Sequence, residues 1–209
     1  MPLSKDIILE KFKKPFVIGV SGVATSGKDT FFSLLQEYLR QYGITVERLA
    51  LADKLKQELD PFLRENVGIS AWTTNQAEKT LIRPMLVAYG KVKRMKSNGT
   101  HWTSQIEPDL KAKLDAGIIP VVTDIRYGEY ENDEIYWLNK FGGKLVYVTR
   151  WTKLDDEGQR VFVQPPNEDE ARNDPFLRKA AHKIVAWNTV TTPTPENLSQ
   201  YVEEFILSL

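Results

Sequence analysis

Residues 16–30 read FVIGVSGVATSGKDT: an apolar run, a loop of small residues, then the polar start of an amphipathic segment. Gly22, Gly27 and Lys28 stand at the spacing Gly-x4-Gly-Lys, the pattern of a loop that closes round phosphate. Glycines let backbone N–H groups approach phosphate oxygens with no Cβ in the way. The helix that follows points its positive end at the same oxygens. The lysine adds a mobile point charge. This order of elements points to a strand–loop–helix unit at one end of a sheet. The spacing alone arises by chance in on the order of one chain in fifteen of this length. The flanks sharpen it, because an apolar strand-like run precedes the loop and FFSLLQEYLRQY, a helical pattern, follows. The other reading is a glycine-bearing turn with a surface lysine. Asp29 follows the lysine where Ser or Thr is usual, and the hydroxyl comes one place later, at Thr30.

The rest of the chain alternates in the same way. Strands are expected at 16–21, 46–52, 118–123, 144–149 and 184–187. Helices are expected at 31–42, 54–66, 78–97, 102–116, 131–141 and 196–207, with Pro84 kinking or starting the third and Pro108 restarting the fourth. Ile7, Ile8, Leu9 and Phe12 can make one face of a short first helix. Residues 151–173 are polar, with Pro165 and Pro166, and read as a loop. Alternation of this kind predicts an α/β fold, a parallel five-stranded sheet flanked by helices. It also predicts one domain, 1–209, with a helical region at about 54–116 and a lid at about 151–173.

In such sheets ligands bind beyond the carboxyl ends of the strands. The residues there are the 22–30 loop, Asp53, Asp124 with Arg126, and Arg150. Asp124 ends the IIPVVT run, where a carboxylate can hold Mg2+ directly or through water; a turn or helix cap is its other reading. Asp53 reads equally as a cap for the helix at Lys54. Arg83 and Arg94 lie eleven residues apart, close to three helical turns, so that both can face one cleft or both can face water. Trp72, Tyr89 and Trp102 suit a base-stacking wall and equally a core. Arg150, Lys153, Arg160 and Arg172 surround the polar segment, either as lid cations or as an ordinary charged surface. His101 and His182 have no metal-ligand spacing.

Composition removes alternatives. Lys+Arg and Asp+Glu both number 28, so no global basic field points to a nucleic-acid polymer. The absence of cysteine excludes disulfides, thiolate metal sites and cysteine catalysis, and fits a cytoplasmic setting. No apolar run approaches the roughly 18 residues of a membrane span, and no signal-peptide core opens the chain.

Five segments together resemble one family. SGVATSGKDT, LALADKLKQEL, RPMLVAYGKVKR with HW at 101–102, VVTDIRYGEYENDEI and GGKLVYVTR are similar to segments of the deoxynucleoside monophosphate kinases of tailed bacteriophages, over about residues 16–190. GKDT also resembles the GKGT of adenylate-kinase-like enzymes. The resemblance implies a P-loop nucleoside monophosphate kinase fold and transfer of the ATP γ-phosphoryl group to a deoxynucleoside monophosphate with Mg2+. It implies that Gly22, Val23, Ala24, Thr25, Ser26, Gly27, Lys28, Asp29 and Thr30 hold the ATP phosphates. Lys28, Asp29, Arg126 and Arg150 would act at the transferring group. Asp53, Arg83, Arg94, Trp102 and Arg126 would line the acceptor site, and Thr30 and Asp124 would serve the metal. It further implies that residues 186–192 pack on the ATP base, that the partners are ATP and a deoxynucleotide, that a homodimer is compatible, and that the setting is an infected bacterial cytoplasm. Two rivals remain at this level. One is another small-molecule kinase of the same fold, of the dephospho-coenzyme A or phosphomevalonate type. The other is a nucleotide-dependent binding module.

Overall fold

The computed structural model describes residues 3–188 and 195–209. Its elements alternate from β1 (Ile18–Ser21) through α2 (Lys28–Arg40), β2 (Val46–Leu49), α3 (Leu51–Asn66), α4 (Gln76–Lys96), α5 (Thr100–Asp115), β3 (Ile119–Ile125), α6 (Glu134–Lys140) and β4 (Lys144–Leu154) to β5 (Arg160–Phe162), α7 (Glu168–Ala180), β6 (Lys183–Asn188) and α8 (Pro195–Ser208); a short α1 (Lys5–Lys11) precedes them. Five strands are parallel, in the order β2-β3-β1-β4-β6. The expectation of a five-stranded parallel sheet is met, with one addition. β4 runs on to Leu154 and β5 folds back antiparallel on that extension, Trp151 opposite Phe162. Half of the segment read as a loop is therefore a hairpin.

Strand alternation sorts side chains to two cores. Ile18, Val20, Val121, Val146 and Val148 face α1, α2 and α8, where Ile8, Phe31, Leu35, Leu39, Val202 and Phe205 are buried. Val17, Val122, Ile125, Leu145 and Tyr147 face the other way, onto Trp102, Ile106, Leu110, Trp137, Leu138 and Leu177. A third, smaller cluster of Leu59, Leu63, Ala71 and Ile82 joins α3 to α4. Of the first helix's expected face, Ile8 and Phe12 are buried, whereas Ile7 and Leu9 are exposed.

Pro84 and Pro108 interrupt neither helix; α4 and α5 run through them. Pro84 is exposed, so the carbonyl it leaves without a helical donor can be solvated. The helix expected from Lys54 starts at Leu51, which places Asp53 inside its first turn. Ala50, at the N-cap, supplies no side-chain acceptor. The acceptor comes from the neighbouring strand instead, as described below. α7 was not expected, although it carries the signals of one. Asn167 accepts from the Glu170 N–H as the cap, Glu168, Asp169 and Glu170 fill the first turn, and Arg178 and Lys179 the last.

Candidate active site

β1 ends at Ser21, and the chain turns through Gly22 (φ 138°), Thr25 (φ 63°) and Gly27 (φ 98°) into α2. Two of these need glycine for space as well as for φ. A Cβ on Gly22 would overlap the Val148 carbonyl oxygen, and one on Gly27 would lie 2.7 Å from the Trp187 indole nitrogen. The loop is thus pressed onto the ends of β4 and β6. Lys28 curls back across it, donating to the carbonyls of Gly22 (2.7 Å) and Val23 (2.9 Å). Burial, and next the nearby positive charge of Arg126, lower the Lys28 ammonium from its usual range to about 8. Asp29 and Thr30 are exposed at the start of α2. Strand, glycine-bearing loop, back-folded lysine and helix N-terminus, at the carboxyl end of a parallel sheet, make this a P-loop fold of the α/β class.

Arg126 leaves the end of β3 beside the loop. Its backbone N–H and that of Tyr127 both donate to Glu134 Oε2, at 2.5 and 3.2 Å. Glu134 is buried, and its loss of solvent pushes the carboxyl up to about 8 against the pull of those amides. The Arg126 guanidinium is exposed and lies 4.0 Å from Glu170 Oε1. The other oxygen of Glu170 accepts from the Ala24 N–H at 3.2 Å. A carboxylate from α7 therefore occupies one amide of the phosphate loop and faces the arginine beside it. The groove between them, lined by Gly22, Val23, Arg126, Glu170 and Asp174, is narrow, about 10 Å³.

Asp124 is nearly buried, and its two oxygens accept from Leu51 N–H (2.9 Å) and Ala52 N–H (2.8 Å). It caps α3 across a strand boundary, a longer-range version of the capping alternative that the sequence left open. Each oxygen keeps a second lone pair for a water or a cation. Arg150 stands near the end of the part of β4 that pairs with β6, in register with Trp187, its Nε buried without a partner. Ser21, Ser26 and Thr149 hydroxyls and the Trp187 indole N–H are in the same condition.

The expected acceptor residues divide. Asp53 pairs with Arg48 at 2.7 Å, beside the site. Arg83 is exposed on α4. Arg94 is not presented to a cleft. It is buried, held by Asp133 (2.9 and 2.5 Å) and Glu129 (3.0 Å), and sandwiched against the rings of Tyr127 and Tyr130. Its donors are committed because Asp133 is wholly buried and needs the charge. Trp102 is likewise core, its indole donating to the Gly90 carbonyl at 3.2 Å, so the stacking wall it was to form is absent at that position. Trp72 is partly exposed under Lys56, and Tyr89 donates to Glu58 at 2.8 Å. Of the expected lid cations, Arg160 lies over Trp151 and Arg172 pairs with Glu129 and Asp169. Of the segment expected on the ATP base, residues 189–192 lie outside the described residues. Sequence reading missed Glu170 and Glu134; the acidic first turn after Asn167 was the signal for Glu170.

For a divalent cation the donors present are hard oxygens: the exposed Asp29 and Thr30, and Asp124 through its second lone pairs. They fit Mg2+, which keeps several waters and needs few protein ligands. Among the described residues no helix is long and apolar enough to cross a membrane.

No protein-family model matches the chain, and no curated protein matches it. Solved structures do. An APS kinase of Mycobacterium tuberculosis is 13% identical, with 93% of this chain and 98% of that one covered at a TM-score of 0.41. A sugar kinase from Janibacter is 13% identical over 92% and 94%, TM-score 0.44. A gluconokinase from Sinorhizobium meliloti is 14% identical over 92% of each, TM-score 0.38.

Proposed function

We propose that the protein is an ATP-dependent kinase whose acceptor is a deoxynucleoside monophosphate. The observation that carries the kinase reading is Lys28, folded over the phosphate loop at the start of α2, its charge destabilised first by burial and next by the Arg126 cation beside it. Two cations held together at a helix N-terminus call for negative charge; Glu170 supplies part of it in the free protein, and a polyphosphate would supply it directly on the loop amides. The five similar segments of sequence support the deoxynucleotide as acceptor.

In the reaction an acceptor phosphate oxygen forms a bond to the γ-phosphorus as the bond to the β–γ bridging oxygen breaks, giving ADP and a nucleoside diphosphate. The chain has no covalent part in this; it positions and neutralises. Backbone N–H groups of residues 22–28 bind the donor's phosphates. Lys28 leaves the Gly22 and Val23 carbonyls to follow the transferring group. Arg126, oriented by the hydrogen bonds that its own backbone N–H and that of Tyr127 donate to Glu134, faces donor and acceptor together, and Arg150 approaches from β4. Asp29, Thr30 and Asp124, directly or through water, would hold Mg2+, which when bound would supply neutralisation of phosphate charge. The β4–β5 hairpin and α7 form the lid, which excludes water. Asp53 and Arg83 remain for the acceptor, while Arg94 and Trp102 shape the site from within.

The test is ADP release from ATP and Mg2+ with each deoxynucleoside monophosphate in turn, and with dephospho-coenzyme A, phosphomevalonate and no acceptor as controls. Stimulation by a deoxynucleotide with matching diphosphate product is expected. Stimulation by another acceptor alone would keep the fold and replace the substrate. Bound ATP with no stimulated turnover would indicate a nucleotide-dependent binding module.

A further inference from the structure

Helix α7 is held in two different ways along its length. Its buried residues, Asn173 and Leu177, both lie in the second half. There Asn173 accepts from the Gly128 N–H at 3.2 Å, Asp174 accepts from the hydroxyl of the buried Tyr147, and Leu177 shares a core cluster with that ring. The first turns bury no side chain and reach other elements through charge. Asp169 sets its two oxygens 3.1 and 3.0 Å from Lys91 Nζ of α4. Glu170 takes the Ala24 N–H and faces Arg126, and Arg172 reaches Glu129 at 2.5 Å. The Lys91, Arg126 and Arg172 side chains are 45%, 45% and 55% exposed, so water and salt compete for each of these pairs. Between the two halves stands Pro175, whose missing N–H leaves the exposed Ala171 without its helical bond. The helix is weakest where its buried anchor ends and its charged turns begin.

We propose that the first turns of α7 are an autoinhibitory latch, closed on the phosphate loop in the free protein and released when a polyphosphate takes the loop. The inference rests on the reading of residues 22–28 as a polyphosphate loop and needs no particular acceptor. Glu170 sits on an N–H that a phosphate oxygen requires, so the ligand binds the molecules whose latch is open. The apparent affinity is the intrinsic one multiplied by the open fraction. Lys91 belongs to another element, the long helix α4, and acts on the loop by holding Asp169, the neighbour of Glu170 in the chain. An anion that takes Lys91 from Asp169 therefore opens the latch and raises affinity at the loop; by reciprocity, a polyphosphate on the loop frees Lys91. A reaction that joins two anions gains from this arrangement, because each one prepares the site of the other.

Lys91→Gln decides the matter, since the alternatives differ in sign. As a surface cation Lys91 attracts polyanions, and its loss weakens their binding. As half of the latch its loss tightens it. Calorimetric titration with inorganic tripolyphosphate and with ATP, no acceptor being present, separates the two. Lys91→Gln and Asp169→Asn are each expected to tighten both ligands about two- to fivefold, the worth of one exposed ion pair. The double variant is expected to bind no tighter than Asp169→Asn alone, and Lys91→Gln is expected to give no tightening in a Glu170→Ala background. The absence of cysteine allows a second readout. Spin labels at Ala88→Cys and Glu168→Cys, both exposed positions, are expected to move apart when tripolyphosphate is added. Weaker binding by Lys91→Gln, additive gains in the double variant, or a label separation indifferent to tripolyphosphate would each overturn the latch. Tighter binding by Lys91→Gln with no deoxynucleotide stimulating turnover would uphold the latch and remove the substrate.

Discussion

Glu170 Oε2 accepts a hydrogen bond from the Ala24 N–H at 3.2 Å, which sets an acidic side chain of α7 on an amide of the phosphate loop. The chemistry is that of a phosphate oxygen: an anion on a backbone donor, with Arg126 near its other oxygen. α7 is also tied down elsewhere, by Asp169 to Lys91 at 3.0 Å and by Asn173 to the Gly128 N–H at 3.2 Å. A nucleotide must displace the carboxylate. Glu170→Ala is therefore expected to tighten binding of ATP by about three- to tenfold, the net worth of one ordinary hydrogen bond, as befits a contact at 3.2 Å, and to lower the melting temperature of the free protein. Calorimetric titration checks it. Weaker binding would mean that Glu170 shapes the loop rather than standing in for the ligand.

Lys28 makes binding depend on pH. Its folded pKa, about 8, lies below the usual 10.5. A phosphate raises it again, so a proton is taken up on binding above pH 8. Affinity for ATP is then expected to fall by up to tenfold per pH unit from about 8 upward, and to be flat there in Lys28→Met. The same variant should lose turnover by about 10²-fold or more. The sign for stability is opposite to that of binding. Because the unfolded chain holds the Lys28 proton more tightly, this group's contribution to stability rises with pH between about 8 and 10.5. Titrations of binding and of denaturation over pH 7–10 check both.

Asp124 tests capping against metal binding. Asp124→Asn keeps one acceptor for α3 and loses the charge; Asp124→Ala loses both bonds to Leu51 and Ala52. Loss of stability of about 1 kcal/mol and about 2–3 kcal/mol is expected in turn, read by urea denaturation. If the second lone pairs also serve the cation, the Mg2+ concentration for half-maximal activity rises in the Asn variant, whose fold is largely kept.

Gly22→Ala places a methyl against the Val148 carbonyl, which is fixed in the sheet. A loss of more than about 3 kcal/mol, or failure to fold, is expected. Gly43→Ala is the control for a positive φ without the overlap, since nothing lies within 4 Å of where its Cβ would stand, and it should cost about 1 kcal/mol.

Arg83 and Arg94, alike in sequence, should separate in the laboratory. Arg94→Met strands the buried Asp133 and is expected to destabilise by about 3–5 kcal/mol. Arg83→Met should leave the melting temperature within about a degree and raise KM for the acceptor, leaving KM for ATP alone. Thermal denaturation and steady-state kinetics distinguish them.

The strand–loop–helix unit, the five parallel strands and the polar residues at their carboxyl ends were legible in the chain, because each rests on local spacing: apolar periodicity, glycine where the backbone must bend, a lysine one place on. What was not legible depends on partners far away in sequence. Asp53 looked like the cap of its helix, but Asp124, 71 residues later in the chain, takes that place once β2 and β3 pair. Arg83 and Arg94 share a helix and a spacing; which one is buried was decided by Asp133 and Glu129 on the loop after β3. Glu170 could be seen as part of a helix start, yet nothing near it in sequence tells that α7 lies across residue 24. Local pattern determines which elements form and which face is apolar. Burial and charge pairing across elements assign each polar side chain its work, since only the packed sheet brings those charges within reach of one another.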